Sequence, residues 1–212
     1  MKSPLPLLIA TRNAGKVREF SEMLSGVGVF GIVDLTQLDG EFEPEETGRT
    51  FRANACFKAE AYARQYNMLA LADDSGLAVD ALGGAPGVYS ARFAERAGAG
   101  RGDGDNNAYL LRRLRNVPNE NRTAHFACVL ALACPTRATL FTAAGQFDGT
   151  ILQKPRGTNG FGYDPLFFVD DAGKTSAELT PDEKHARSHR GKALRRLQRL
   201  FAAFGEDVFT QA

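Results

Sequence analysis

Two short segments of this chain carry side chains suited to phosphate and to a divalent metal. Thr11-Arg12-Asn13-Ala14-Gly15-Lys16 follows the apolar run Leu5 to Ala10, and Ala72-Asp73-Asp74-Ser75-Gly76 follows Leu69-Ala70-Leu71. Each stands where an apolar strand is expected to end and a loop to begin. At the first, a strand-to-helix turn exposes backbone N–H groups and the positive end of the helix dipole, a natural seat for phosphate. Asn13 can donate through its amide, Lys16 brings a compact charge, and Gly15 lets the backbone approach a ligand. The pattern GxxxxGK[ST] is absent, so P-loop chemistry is disfavoured. Taken alone, these residues also describe an ordinary helix start with an asparagine cap.

The second segment offers paired carboxylates. Adjacent residues on extended backbone point to opposite sides, so one aspartate can face a ligand while the other anchors the chain. Carboxylates and water suit Mg²⁺, and a water positioned by carboxylate or metal can attack phosphorus. A ligand-free Asp-Ser-Gly turn is the plainer account; the doubled aspartate behind an apolar strand argues against it. A donor set and a metal set in one small protein point to an enzyme acting on a nucleoside triphosphate.

Other residues gain interest only beside these. Glu45 and Glu46 lie in an acidic loop, Glu41 to Gly48, that otherwise reads as solvated. Asn54 and Lys58 are four apart in the alanine-rich helix expected over Arg49 to Tyr66, so they share a face. Gly157-Thr158-Asn159-Gly160 leads into Phe161-Gly162-Tyr163-Asp164-Pro165. There Phe161 can stack on a base and Asp164 can accept from a base or ribose, unless the aromatics are simply core. Lys184, Ser188, His189 and Arg190 fall in the first turns of the helix expected from Pro181 onward, with His189 and Arg190 able to donate to a keto oxygen. His185 and His189 are also four apart, but no HExxH and no third ligand accompany them, so a histidine metal site is rejected.

The elements that must position these residues alternate. Strands are expected at Leu5 to Ala10, Val29 to Leu35, and on both sides of the Asp-Asp-Ser-Gly turn, at Leu69 to Ala72 and Leu77 to Val79. Helices are expected at Gly15 to Leu24 and Asn106 to Arg115. Ala124 to Ala133 and Thr139 to Phe147 alternate around Pro135-Thr136-Arg137 as a hairpin, and Leu166 to Val169 adds a strand. Thr180-Pro181-Asp182-Glu183 is a capping box with proline at the first helical position. Leu194, Leu197, Phe201 and Phe204 give that last helix an apolar stripe. The pattern predicts an α/β protein with a mixed sheet.

The 212 residues suit a single domain over 1–212, with room for two lobes. A net charge of +1 provides no field for nucleic acid. No segment approaches the ~20 uninterrupted apolar residues of a membrane span, and no signal peptide is expected. Cys56, Cys128 and Cys134 lack metal spacing and suit a reducing cytoplasm.

Together the stretches TRNAGKVREF, EETGRTFRANACFKAEA, ADDSGLAVDALGGAPGVYSARFA, GFGYDPLFF and AELTPDEKHARSHRGKAL closely resemble the non-canonical purine nucleoside triphosphate pyrophosphatases, the inosine/xanthosine triphosphate pyrophosphatase family. They run in the family's order from residue 8 to about residue 194. Arg12, where many relatives have a small residue, and Asn159, where glycine is frequent, depart from the pattern. The resemblance implies an elongated mixed sheet flanked by helices, with two lobes and a nucleotide-binding cleft between them. It implies Mg²⁺-dependent cleavage of ITP, dITP and XTP to the nucleoside monophosphate and pyrophosphate, which cleanses the nucleotide pool. It also implies a homodimer. Carried onto this chain, Thr11, Arg12, Asn13, Ala14, Gly15 and Lys16 hold the triphosphate, and Lys58 balances charge on the leaving pyrophosphate. Asp74 activates water as general base or metal-linked acceptor, Glu46, alone or with Glu45, helps it bind Mg²⁺, and Ser75 touches substrate. Phe161, Gly162, Tyr163, Asp164, Lys184, His189 and Arg190 hold base and sugar. A pyrophosphatase for modified pyrimidine or methylated nucleotides, like the Maf-type proteins, and a non-hydrolysing nucleotide sensor are the competing readings.

Overall fold

A computed structural model of the chain describes residues 4–24, 30–38, 42–136 and 138–204. Its sheet has seven strands in the order β2-β1-β3-β4-β5-β6-β7. They are β1 (Leu5–Ile9), β2 (Phe30–Asp34), β3 (Leu69–Val79), β4 (Thr123–Ala133), β5 (Thr139–Ile151), β6 (Phe167–Val169) and β7 (Lys174–Thr175). The helices that flank it are α1 (Ala14–Leu24), α2 (Phe51–Tyr66), α3 (Asp103–Arg113), α4 (Pro181–Arg187) and α5 (His189–Phe204). β1 runs parallel to β2 and β3, whereas β6 is antiparallel to β5 and β7. This is the mixed α/β sheet expected. Val29, Glu41 and Arg137, which carried parts of the expected second strand, acidic loop and hairpin turn, lie outside the described residues, as does the side chain of Phe204.

The chain divides into two compact units. One comprises Met1–Asp74, Val129–Ala144 and Arg190–Ala212; the other comprises Ser75–Cys128 and Gly145–His189. In the first, alternate residues of two parallel strands, Leu8 and Ala10 of the β1 segment and Ala70 and Ala72 of β3, pack with Ala55, Ala59 and Ala63 of α2. Methyl-sized side chains on both surfaces let the helix lie close to the sheet. α2 starts where the Thr50 hydroxyl accepts from the Ala53 N–H at 3.1 Å, and it ends at Asn67 in the left-handed region, φ 50°. Asparagine tolerates that conformation better than other residues with a side chain, glycine aside. In the second unit one apolar core gathers Leu77, Val79, Phe93, Leu110, Leu114, Phe126, Phe147 and Phe167.

Two expectations are corrected. Asp73-Asp74-Ser75-Gly76 is no turn between short strands; it lies inside the eleven-residue β3. Both aspartates are buried and ion-paired, so nothing drives this segment out to water. The last helix is not continuous either. α4 ends at Ser188, whose backbone is extended at ψ 158° and whose N–H donates to the Lys184 carbonyl, before α5 begins at His189. Serine is favoured immediately before a helix start. The break therefore places Lys184 in α4 and His189 and Arg190 in α5, rather than all in the first turns of one helix. The capping box at Thr180 and Glu183 is present. Smaller differences are the earlier start of α3, where Asp103 and Asp105 suit the positive end of the helix dipole, and the short β7, which no sequence pattern marks.

Thr50 satisfies a backbone donor that α2 would otherwise leave unpaired. Thr50→Ala should lower stability by about 1 kcal/mol, read as a lower urea midpoint at unchanged slope; an unshifted midpoint would show that the cap contributes nothing.

Candidate active site

β3 delivers two acids to opposite faces of the sheet, as strand alternation requires. Asp73 meets Lys16 of α1 in an ion pair and stands 3.7 Å from Arg190 Nε of α5. Asp74 lies on the face shared with Ala70 and Ala72 and meets α2: Asn54 Nδ2 donates to its Oδ2 at 3.1 Å, and Lys58 Nζ to its Oδ1 at 3.3 Å. Lys58 also donates to Glu46 Oε1 at 2.7 Å, so one ammonium bridges two carboxylates. Arg190 completes the set by donating to Glu19 Oε2 of α1 at 2.9 Å. All of these groups belong to the first unit.

Their charges are divided unequally. Burial pushes the Asp73 carboxyl upward, but Lys16 and Arg190 overcome it and hold Asp73 well below the usual carboxylate range. For Asp74 burial prevails over Lys58, and Glu46 and Asp73 add to it, so this carboxyl lies above its ordinary value. Burial opposes the Lys58 charge, yet Asp74 and Glu46 outweigh it and raise that group. Adjacent carboxyls driven in opposite directions are a recurring sign of separate acid–base roles.

A hard divalent cation fits the Asp74–Glu46 side. The donors are oxygens, and Lys58 contacts both carboxylates. Among the described residues no group of three or more His, Cys, Asp or Glu side chains could hold a metal. Two carboxylates at most are on offer, the number Mg²⁺ commonly takes from protein beside water and phosphate.

At the start of α1, Asn13 Oδ1 accepts from the Lys16 N–H at 3.1 Å, and Thr11 Oγ1 accepts from the Asn13 N–H at 3.2 Å. Arg12, Asn13 and Ala14 are exposed. The asparagine cap and the phosphate seat are thus compatible: the side-chain oxygen caps the helix, and the turn faces solvent.

The second unit holds the loop 157–164. Asp164 is its hub. Its Oδ2 accepts from the Phe161 N–H at 2.9 Å and from Lys184 Nζ at 2.7 Å, and its Oδ1 accepts from Ser176 Oγ at 2.8 Å. Lys184 also lies 5.2 Å from the centre of the Phe161 ring. Gly162 has φ 63°, and its backbone is held by Asp103 and Asn107. His189 is buried and stacks on Phe126 at 4.9 Å. Ser75 is half-buried within β3.

Several placements depart from expectation. The Tyr163 ring is core, and its hydroxyl donates to the Ser90 carbonyl at 2.8 Å, so this side chain is not offered to a base. The buried Asp164 carboxylate is engaged by the Phe161 N–H of its own loop and by Lys184 and Ser176 outside it, so it ties the loop down. Arg190, paired with His189 in the sequence reading, turns to Glu19 and Asp73. Sequence reasoning missed Glu19, although its position three after Lys16 puts both on one face of α1. It also missed Ser176, which no spacing rule marks.

Comparison with known proteins decides the family. The Ham1 family model matches residues 7–200. The chain belongs to the Ham1 family. A relative named dITP/XTP pyrophosphatase from Exiguobacterium sibiricum is 49% identical over 200 residues, covering 94% of this chain and 98% of its own. Another of that name from Bacillus subtilis is 48% identical over 196 residues, covering 92% and 96%. Among solved structures, the Ham1 protein of Staphylococcus aureus superposes with a TM-score of 0.80 at 38% identity, covering 94% of this chain and all of its own.

The depressed Asp73 carboxyl has a defined pH signature. Its stabilising contribution is present above the unfolded carboxyl value near pH ~4 and is lost as pH falls toward the lower folded value. Asp74, raised in the fold, works with the opposite sign, so the test is a difference between proteins. Asp73→Asn should cost about 3–5 kcal/mol at pH 7, because it strips an acid from buried Arg190 and half-buried Lys16. The gap to wild type should narrow as pH falls below ~4. Chemical denaturation across pH reads this; a gap independent of pH would refute the assignment.

Proposed function

We propose that this chain is a nucleoside triphosphate pyrophosphatase that hydrolyses ITP, dITP and XTP to the nucleoside monophosphate and pyrophosphate with Mg²⁺, clearing the nucleotide pool of these bases. The observation that carries the reading is the divided pair on β3: Asp73 meets Lys16 and Arg190 on one face, and Asp74 meets Asn54 and Lys58 on the other, where Lys58 also holds Glu46. The names of relatives at about half identity, dITP/XTP pyrophosphatase, support the substrate class.

In this reading Asp74 accepts the proton of the water that attacks the α-phosphorus. The α–β anhydride bond breaks, and pyrophosphate leaves. Thr11 to Lys16 receive the phosphates through backbone N–H groups and the Lys16 charge, with Lys58 offsetting charge on the leaving group. Such transfer depends on positioning and neutralisation more than on covalent help. Glu46 and Asp74 would hold Mg²⁺, which when bound neutralises phosphate charge. Arg190 keeps Asp73 anionic and Lys16 fixed. Phe161, Lys184, His189 and the 157–164 loop receive base and sugar, and Ser75 touches the substrate. A donor aimed at the 6-keto oxygen of inosine or xanthosine meets an amino group in adenine, and each mismatch costs about 1–3 kcal/mol. The homodimer that the resemblance implies and the cytoplasmic setting that the cysteines suit belong to the same proposal.

Purified protein, Mg²⁺ and a panel of ITP, dITP, XTP, dGTP, dATP and a modified pyrimidine triphosphate test this, with separate detection of pyrophosphate and orthophosphate. Pyrophosphate alone should appear, with dATP slower than dITP by about tenfold or more. Release of orthophosphate, or preference for the modified pyrimidine, would defeat the proposal. Asp74→Asn should lower kcat by about 10²–10⁴-fold while equilibrium binding of dITP survives; turnover near wild type would remove Asp74 from the mechanism.

A further inference from the structure

Asn54, Lys58 and Tyr62 follow one another at intervals of four along α2, and all three are buried. That spacing puts them on one helical face. Each meets the irregular segment 42–50 that precedes the helix. The Tyr62 hydroxyl donates to the Phe42 carbonyl at 3.2 Å, and the two rings pack edge to face at 5.4 Å. Arg12 Nη2 reaches the same carbonyl at 3.5 Å. One turn earlier, Lys58 holds Glu46. A further turn earlier, Asn54 presses so closely on Gly48 that a Cβ there would collide with Asn54 Oδ1 and stand 3.1 Å from Ala53 Cβ. Thr50 then closes the segment as the cap of α2.

The segment is therefore pinned near both ends, and Glu46 lies between the pins. Without them a coil of this kind samples many backbone states, and its carboxylate spends less time beside Asp74. We propose that Tyr62 is a positioning residue: by holding Phe42 it fixes the acidic segment so that the Glu46 carboxylate stands ready beside Asp74 for a divalent cation. The Gly48–Asn54 contact does the same from the other end. The inference rests on the pyrophosphatase reading above. It adds to that reading residues that touch neither phosphate nor water and act through Glu46.

The test uses the full chain and two readouts. Tyr62→Phe keeps the ring and removes the hydroxyl. Backbone hydrogen exchange within 42–48 should accelerate by about fivefold, the effect of one lost hydrogen bond, with β1 and β3 unchanged. The Mg²⁺ concentration for half-maximal activity with dITP should rise by about fivefold, while kcat at saturating Mg²⁺ and KM for dITP stay at wild-type values. Gly48→Ala, which disturbs the other pin, should shift both readouts in the same direction. Unchanged exchange in both variants overturns the inference, as does faster exchange with no change in the Mg²⁺ requirement. A wild-type protein inactive on every triphosphate would sink the functional reading instead, and the exchange data alone would still decide whether Tyr62 holds the segment.

Discussion

Two carboxylates side by side on a buried strand are the constraint from which the first unit follows. Removing even one such charge from water costs several kcal/mol unless partners compensate. Here compensation comes from three distant parts of the chain: Lys16 and Arg190 for Asp73, and Lys58 for Asp74. Strand alternation forces those partners onto opposite faces, so α1 and α5 must serve one acid and α2 the other. The alanines of α2 and β3 make this geometry accessible on the α2 side, since larger side chains would hold Lys58 and Asn54 farther from Asp74.

The two faces end in different electrostatic states, and that difference is what chemistry can use. On the Asp73 face two cations meet one strand acid, with Glu19 balancing Arg190. On the Asp74 face one ammonium serves two acids, and the surplus is negative. The second unit has no comparable imbalance in its loop 157–164, where Asp164 is matched by Lys184, a hydroxyl and a backbone N–H. Its organisation is that of a shaped loop, with Phe161 carried at its edge.

Much of this was legible in the sequence, and the failures have physical causes. The mixed sheet, the helix opened by Asn13, the alanine-rich α2 and the capping box at Thr180 all rest on local rules of capping and periodicity, and the structure shows each of them. The shared face of Asn54 and Lys58 was likewise readable from their spacing. The turn at Asp73 to Gly76 was misjudged because turn propensity assumes that aspartate, serine and glycine seek water, and distant lysines and an arginine cancel that tendency. The break at Ser188 was missed because neither proline nor glycine marks it. Arg190 and Glu19 are 171 positions apart, beyond any spacing argument. Tyr163 was read as a candidate for a base slot because an aromatic beside glycines looks the same whether it faces a ligand or a core.

The continuity of β3 also bears on how this protein can change over evolutionary time. Loss or gain of a single residue between Leu69 and Ala72 would turn each acid to the opposite face of the sheet, away from its own cations. Point replacements of neighbouring side chains leave that assignment intact. The strand should therefore accept altered bulk more readily than altered length, and lineages descending from this chain should vary their length elsewhere.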